Sequence, residues 1–124
     1  MPRINVNLVD VESGFEVYPD GKYLVEITSK SKVAKATAGG AYIRWIAQIM
    51  EPEEHAEKLI SWGTSLLPQA LWNLKAMMEV IGVAFDEEGF EMEDAFGSQL
   101  IVENQVRDYN GQDRNNIIGY FAAE

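Results

Sequence analysis

The chain has 124 residues, ten Lys and Arg against twenty Asp and Glu, and no cysteine. One domain of this length buries a real core, no segment approaches the roughly 20 apolar residues of a membrane helix, and without thiols neither disulfides nor thiolate metal sites contribute. The net charge of −10 opposes a nucleic-acid partner only when averaged, because residues 1–50 carry six cations and five anions while residues 51–124 carry four and fifteen.

Residues 1–20 mix Val, Leu and Ile with acids and end in Tyr18-Pro19-Asp20-Gly21, a turn in which proline presets φ. They read as an N-terminal extension or edge strand of a single domain spanning 1–124. Met-Pro-Arg-Ile-Asn-Val does not have the form of a signal peptide, so a cytoplasmic location without a membrane partner is expected. Lys22–Lys30 alternates through Tyr23, Val25 and Ile27 as a first strand. A basic loop with Lys30, Lys32 and Lys35 leads through a glycine turn, Ala38-Gly39-Gly40, into a second strand, Ala41–Ile49. One face of that strand carries Ile43, Trp45, Ala47 and Ile49, and the other Tyr42, Arg44, Ile46 and Gln48. Glu51–Glu57 is a polar connection, and Lys58–Thr64 a third strand holding Leu59, Ile60 and Trp62. Trp45 and Trp62 share faces with Ile43 and Ile60, which assigns both to the core.

Pro68 and Gly82 bracket a helix, with Ser65 or Thr64 as its cap and Leu67, Leu71, Leu74, Met78 and Ile81 as one apolar stripe. Trp72 falls off that stripe, near Lys75 and Glu79. Asp86–Asp94 is an acidic loop punctuated by Phe90 and Met92. The chain closes in a hairpin: Gln99–Arg107, a turn at Asp108–Asp113, and Arg114–Phe121 with Tyr120 assigned to the core. Three strands, a helix and a closing hairpin give a mainly β fold with the layout of the five-stranded OB-fold barrel, its helix lying between strands three and four.

Sequence-tolerant binding of a single strand needs cations that follow phosphates and aromatic faces on which bases stack. In OB-folds the loops between strands one and two and between strands four and five flank the oligonucleotide groove. Lys30, Lys32 and Lys35 fall in the first loop, Arg107, Tyr109 and Arg114 in the second, and Tyr42 and Arg44 on the outer side of strand two. Enzymatic readings lack support. His55, the only histidine, lies among Glu53, Glu54 and Glu57 and reads as solvated, with no Ser or Cys partner in a recognisable motif. The carboxylates of 86–94 lack calcium-loop spacing, and there is no phosphate-cradling loop with a Lys-Ser or Lys-Thr pair. The expectation is a non-catalytic protein with no cofactor and no metal.

Several phrases are more specific: Tyr18-Pro19-Asp20-Gly21-Lys22-Tyr23, Ser65-Leu66-Leu67-Pro68-Gln69-Ala70-Leu71-Trp72-Asn73-Leu74-Lys75, Ile81-Gly82, Asp94-Ala95-Phe96-Gly97, Tyr109-Asn110-Gly111 and Asn116-Ile117-Ile118-Gly119-Tyr120. In this order, over roughly residues 15–121, they resemble the bacteriophage single-stranded-DNA-binding proteins long catalogued as a phage domain of unknown function. The resemblance implies an OB-fold protein that coats single-stranded DNA in viral DNA replication or recombination, with little sequence preference, in the bacterial host cytoplasm. Many single-stranded-DNA-binding proteins recruit partners through an acidic C-terminal tail, whereas this sequence runs from its last strand into Ala122-Ala123-Glu124. Three alternatives follow: the tail lies outside this sequence, recruitment of phage or host replication and recombination proteins runs through Asp86–Asp94, or it does not occur. The competing function is an OB-like interaction module docking such proteins through the acidic surface and Trp72. The edge of strand one and the Trp72 face each offer a way to form a homodimer.

Overall fold

The computed structural model describes residues 16–35, 40–109 and 111–123. The expected N-terminal extension therefore lies outside the described residues up to residue 15, as does the turn expected at Ala38-Gly39. Period-2 alternation builds β1 (Gly21–Ile27), with Tyr23, Val25 and Ile27 buried. It also builds β3 (Ala41–Glu51), with Ile43, Trp45, Ala47 and Ile49 buried. Between them the expected first strand breaks at Thr28–Ser31 and resumes as β2 (Lys32–Lys35). Hydroxyls add to the backbone bonding at this break, where the Thr28 amide still donates to the Ile46 carbonyl at 2.9 Å. Thr28 donates its Oγ1 to the Ile46 carbonyl at 2.7 Å, and Ser31 Oγ accepts the Ile46 amide at 2.9 Å. Lys32 and Lys35, expected in a loop, are thus strand residues, and Lys30 lies in the turn.

The third strand, β4 (Leu59–Ser65), pairs with β3 and buries Ile60, Trp62 and Thr64. Thr64 does not cap the helix; its Oγ1 accepts the Trp45 indole N–H at 2.9 Å inside the core. Ser65 does not cap it either: its Oγ accepts the Leu67 amide at 3.1 Å, Pro68–Ala70 forms one 3-10 turn before α1 (Leu71–Ile81), and neither has a side-chain cap bond. Gly82 ends α1 at φ 74°, a left-handed position suited to glycine. The helix buries Leu74, Met77 and Met78, whereas Leu67 and Leu71, expected on its core stripe, are each 40% exposed.

The closing hairpin is also broken. β5 (Gln99–Asn104) and β8 (Ile117–Ala122) form its base, and β6 (Arg107–Tyr109) with β7 (Gln112–Arg114) forms a separate two-stranded tip. The main sheet runs β2-β3-β1-β5-β8, with β4 on the outer side of β3, and all its pairings are antiparallel. Among the described residues the protein is therefore mainly β with one α-helix, following the third of the expected strands. No ladder joins β4 to β8 among the described residues, so the sheet is not closed into a barrel, and α1 packs against both of those strands. At this seam the Tyr120 hydroxyl and Trp62 Nε1 are buried without a well-formed hydrogen bond. Burial pushes the Tyr120 phenol up to about 12, against smaller opposing effects of Asn73 and Trp62 beside it.

Two expectations about aromatic and imidazole rings are corrected. Tyr18, read as a turn residue, is buried and donates its hydroxyl to the Leu59 carbonyl at 2.8 Å. His55 is not a solvated side chain: its ring meets Tyr18 edge-on at 5.1 Å and Tyr23 at 6.0 Å, and its Nδ1 is buried. The 3-10 turn at Glu53–His55 swings the imidazole under the sheet, where two tyrosine rings provide apolar surface despite the glutamates around it in sequence.

Candidate nucleic-acid interface

The strand register places Arg44 directly opposite Lys32 on β2 and Gly63 on β4, and Tyr42 opposite Ala34 and Ser65. All lie on the outer face of the sheet, turned away from Ile43 and Trp45. Gly63 has a steric role there. A Cβ at that position would stand 3.1 Å from Tyr42 Cδ2, so the absence of a side chain lets the phenol ring lie across β4. Arg44 Nε donates to Ser61 Oγ at 3.4 Å, which holds the guanidinium along the same face. Lys32 and Arg44 thus face one another across the β2–β3 ladder.

Lys30 and Lys32 are exposed near this face, Lys30 in the turn and Lys32 on the strand. Lys35 pairs with Ala41, so alternation turns it to the opposite side of β2 from Lys32. The sequence grouping of three lysines thus separates into two sides. Arg107 and Arg114 are brought opposite one another on the β6–β7 tip, with Tyr109 opposite Gln112. Arg107 Nη2 donates to Gln105 Oε1 at 3.3 Å.

The tip is held by polar side chains. Buried Asn104 donates from Nδ2 to the Tyr18 carbonyl at 2.9 Å and to Asn115 Oδ1 at 3.1 Å, and its Oδ1 accepts the Asn116 amide at 2.9 Å. Asp20 Oδ1 accepts the Val106 amide at 2.7 Å, and Asn115 Nδ2 donates to the Glu16 carbonyl at 2.8 Å. These bonds fix the tip at the Gly21 end of β1, where Gly21 pairs with Asn104. The lysine turn hangs from the Ile27 end, where the Ile27 amide donates to the Ser98 carbonyl. A strand of seven residues separates the two clusters, roughly 20 Å at ~3.3 Å per residue.

Charge distribution along the sequence identifies a surface that residue-by-residue reading missed. Residues 27–50 and 58–78 contain no Asp or Glu, yet hold six of the ten cations: Lys30, Lys32, Lys35, Arg44, Lys58 and Lys75. The fold assembles these two stretches into β2, β3, β4 and most of α1, with Lys58 paired to Glu16 at 3.2 Å. Elsewhere on the sheet a depression lined by Lys22, Leu24, Met50 and Ile101 is bordered by Glu51 and Glu53. Those carboxylates make it the less suitable surface for phosphates. Among the described residues no group of three His, Cys, Asp or Glu side chains is placed to hold a metal ion, and no helix is long and apolar enough to cross a membrane.

This is a small antiparallel β domain whose outer sheet face carries Lys32, Arg44 and Tyr42 at one end and Glu26, opposite Gln48, further along. The family model described as "Protein of unknown function (DUF669)" matches residues 4–120, and the chain belongs to that family. No curated protein matches it.

Proposed function

We propose that this chain is an OB-fold protein that binds single-stranded DNA without catalysis and with little sequence preference, in phage replication or recombination within the bacterial cytoplasm. The observation that carries the reading is the face formed by Lys32, Arg44 and Tyr42 over Gly63, on a surface assembled from carboxylate-free stretches of a chain with net charge −10. Phosphates would follow the cations, and a base would stack on the Tyr42 ring, which any base offers a π-face to meet. The pairing pattern supports the OB-fold: β1 joins both β3 and β5, β3 joins β4, β5 joins β8, and the helix lies at the seam between β4 and β8. The resemblance in sequence to phage single-stranded-DNA-binding proteins points the same way.

Fluorescence anisotropy of a labelled dT oligonucleotide at two salt concentrations tests this. Binding that weakens as salt rises is expected; no binding even at low salt would falsify the proposal.

The competing reading is a docking module for replication or recombination proteins, and it draws on the acidic loop. Phe85 is 45% exposed beside Asp86, Glu87 and Glu88, and aromatic residues are enriched at protein interfaces. On this competing reading Phe85→Ala weakens partner recruitment and the parent does not bind the dT oligonucleotide.

A further inference from the structure

Trp72 is 72% exposed, whereas Trp45 is 0% and Trp62 7% exposed. It lies on the side of α1 opposite Leu74, Met77 and Met78, so core packing does not account for it. Its surroundings connect it to the sheet face. The Leu66 amide donates to the Ala41 carbonyl at 2.9 Å, Ser65 pairs with Tyr42, and a Cβ on Gly40 would meet Leu67 Cδ2 at 2.9 Å. Leu67 and Leu71, each 40% exposed, carry an apolar strip from that end of the sheet onto the helix. Lys75 follows Trp72 by one turn and is exposed, and no carboxylate occurs between Lys58 and Glu79.

We infer that the single-stranded DNA path continues past Tyr42 onto the first turns of α1, where Trp72 stacks on a base and Lys75 meets a phosphate. This rests on the reading under Proposed function and extends it by one subsite. A solvent-facing indole with a cation one turn away is the pairing that single-strand recognition uses, and it needs no base-specific hydrogen bond. The cations select the occupant: Lys32 and Arg44 stand at the sheet end of the strip and Lys75 on its helix end, with Glu79 two turns beyond Trp72 as the first carboxylate on that side of α1.

The buried Trp45 and Trp62 also emit, so the Trp72 signal is read as the difference between the parent and W72A. Adding a dT oligonucleotide should change Trp72 emission along the same saturation curve as the anisotropy of the labelled strand. Trp72→Ala should weaken binding about 5- to 150-fold, and Lys75→Gln should reduce the salt slope by about 0.7. Unchanged circular dichroism and thermal unfolding of both variants would exclude loss of fold.

If the parent binds with salt-sensitive anisotropy while Trp72 emission stays fixed and W72A binds equally well, the inference is overturned and the proposed function stands. If the parent does not bind DNA at all, both fall. Sedimentation without DNA reads the competing occupant: a dimer of the parent that W72A reduces to a monomer puts a second copy on this face and overturns the proposal.

Discussion

At Gly63 a single missing side chain sets the shape of the candidate site. An exposed position on a strand ordinarily favours a β-branched residue, yet here a Cβ would press on the Tyr42 ring. Gly63→Val should therefore leave the fold intact while displacing the phenol, and oligonucleotide affinity should fall about as much as in Tyr42→Ala, by roughly 1–3 kcal/mol. Equal affinity of G63V and the parent in an anisotropy titration would remove Tyr42 from the site. The register makes a second distinction among residues that look equivalent in sequence. Lys32 stands opposite Arg44 on the outer face, while Lys35 turns to the other side of β2. Charge reversal at Lys32 should thus cost more DNA affinity than reversal at Lys35, a comparison that two titrations in the same buffer decide. Alternation within one strand already placed Tyr42 and Arg44 together. What lies opposite them comes from another strand's register, and no local pattern carries it.

Elements behaved differently according to where their stabilising partners sit. β1, β3 and β4 were legible because each repeats apolar residues at period 2 and buries them on one side. The breaks were not, since they depend on side chains that add to the backbone bonding. Thr28 and Ser31 bond to Ile46 across the sheet, and Asn104, Asn115 and Asp20 tie the β6–β7 tip to residues 16–20. A hydroxyl or amide in a strand reads as an ordinary polar residue until its distant partner is known. Tyr18 and His55 illustrate the same limit, because each looks solvated among its neighbours in sequence and packs on the other in space.

Asn104 supplies the element-scale prediction. It is buried and bonds to Tyr18, Asn115 and Asn116, so truncation leaves buried polar groups without partners. Asn104→Ala should lower stability by about 1–3 kcal/mol in urea unfolding. It should also loosen the hairpin that presents Arg107 and Arg114. A midpoint unchanged from the parent would show that the network does not hold the tip.

Across the whole molecule, charge is segregated and the seam between β4 and β8 is filled by side chains. Tyr120 at that seam has its phenol raised to about 12 by burial, and Tyr18 and Tyr23 are raised in the same direction, again by burial first. In the unfolded chain a tyrosine ionises near 10, so between about pH 10 and 12 the folded protein holds a proton that the unfolded chain has released. Stability present below pH 10 is then lost as pH rises, by on the order of 2–3 kcal/mol for Tyr120 alone. Tyr120→Phe should be close to neutral at pH 7, since its hydroxyl lacks a well-formed bond, and should shallow the alkaline loss. Urea midpoints at pH 8 and 11 check both statements.

The same segregation lets an acidic protein offer a polyanion a local face where cations are gathered, and salt dependence reads that face most directly. The decisive measurement is the affinity for a dT oligonucleotide as a function of salt, for the parent and for the Lys30, Lys32 and Lys35 to Glu variant. The account predicts that log K falls linearly with log salt, by about 0.7 for each phosphate neutralised, and that the variant binds far more weakly with a shallower slope. A parent that fails to bind at low salt, or a variant that binds as tightly as the parent, would contradict it.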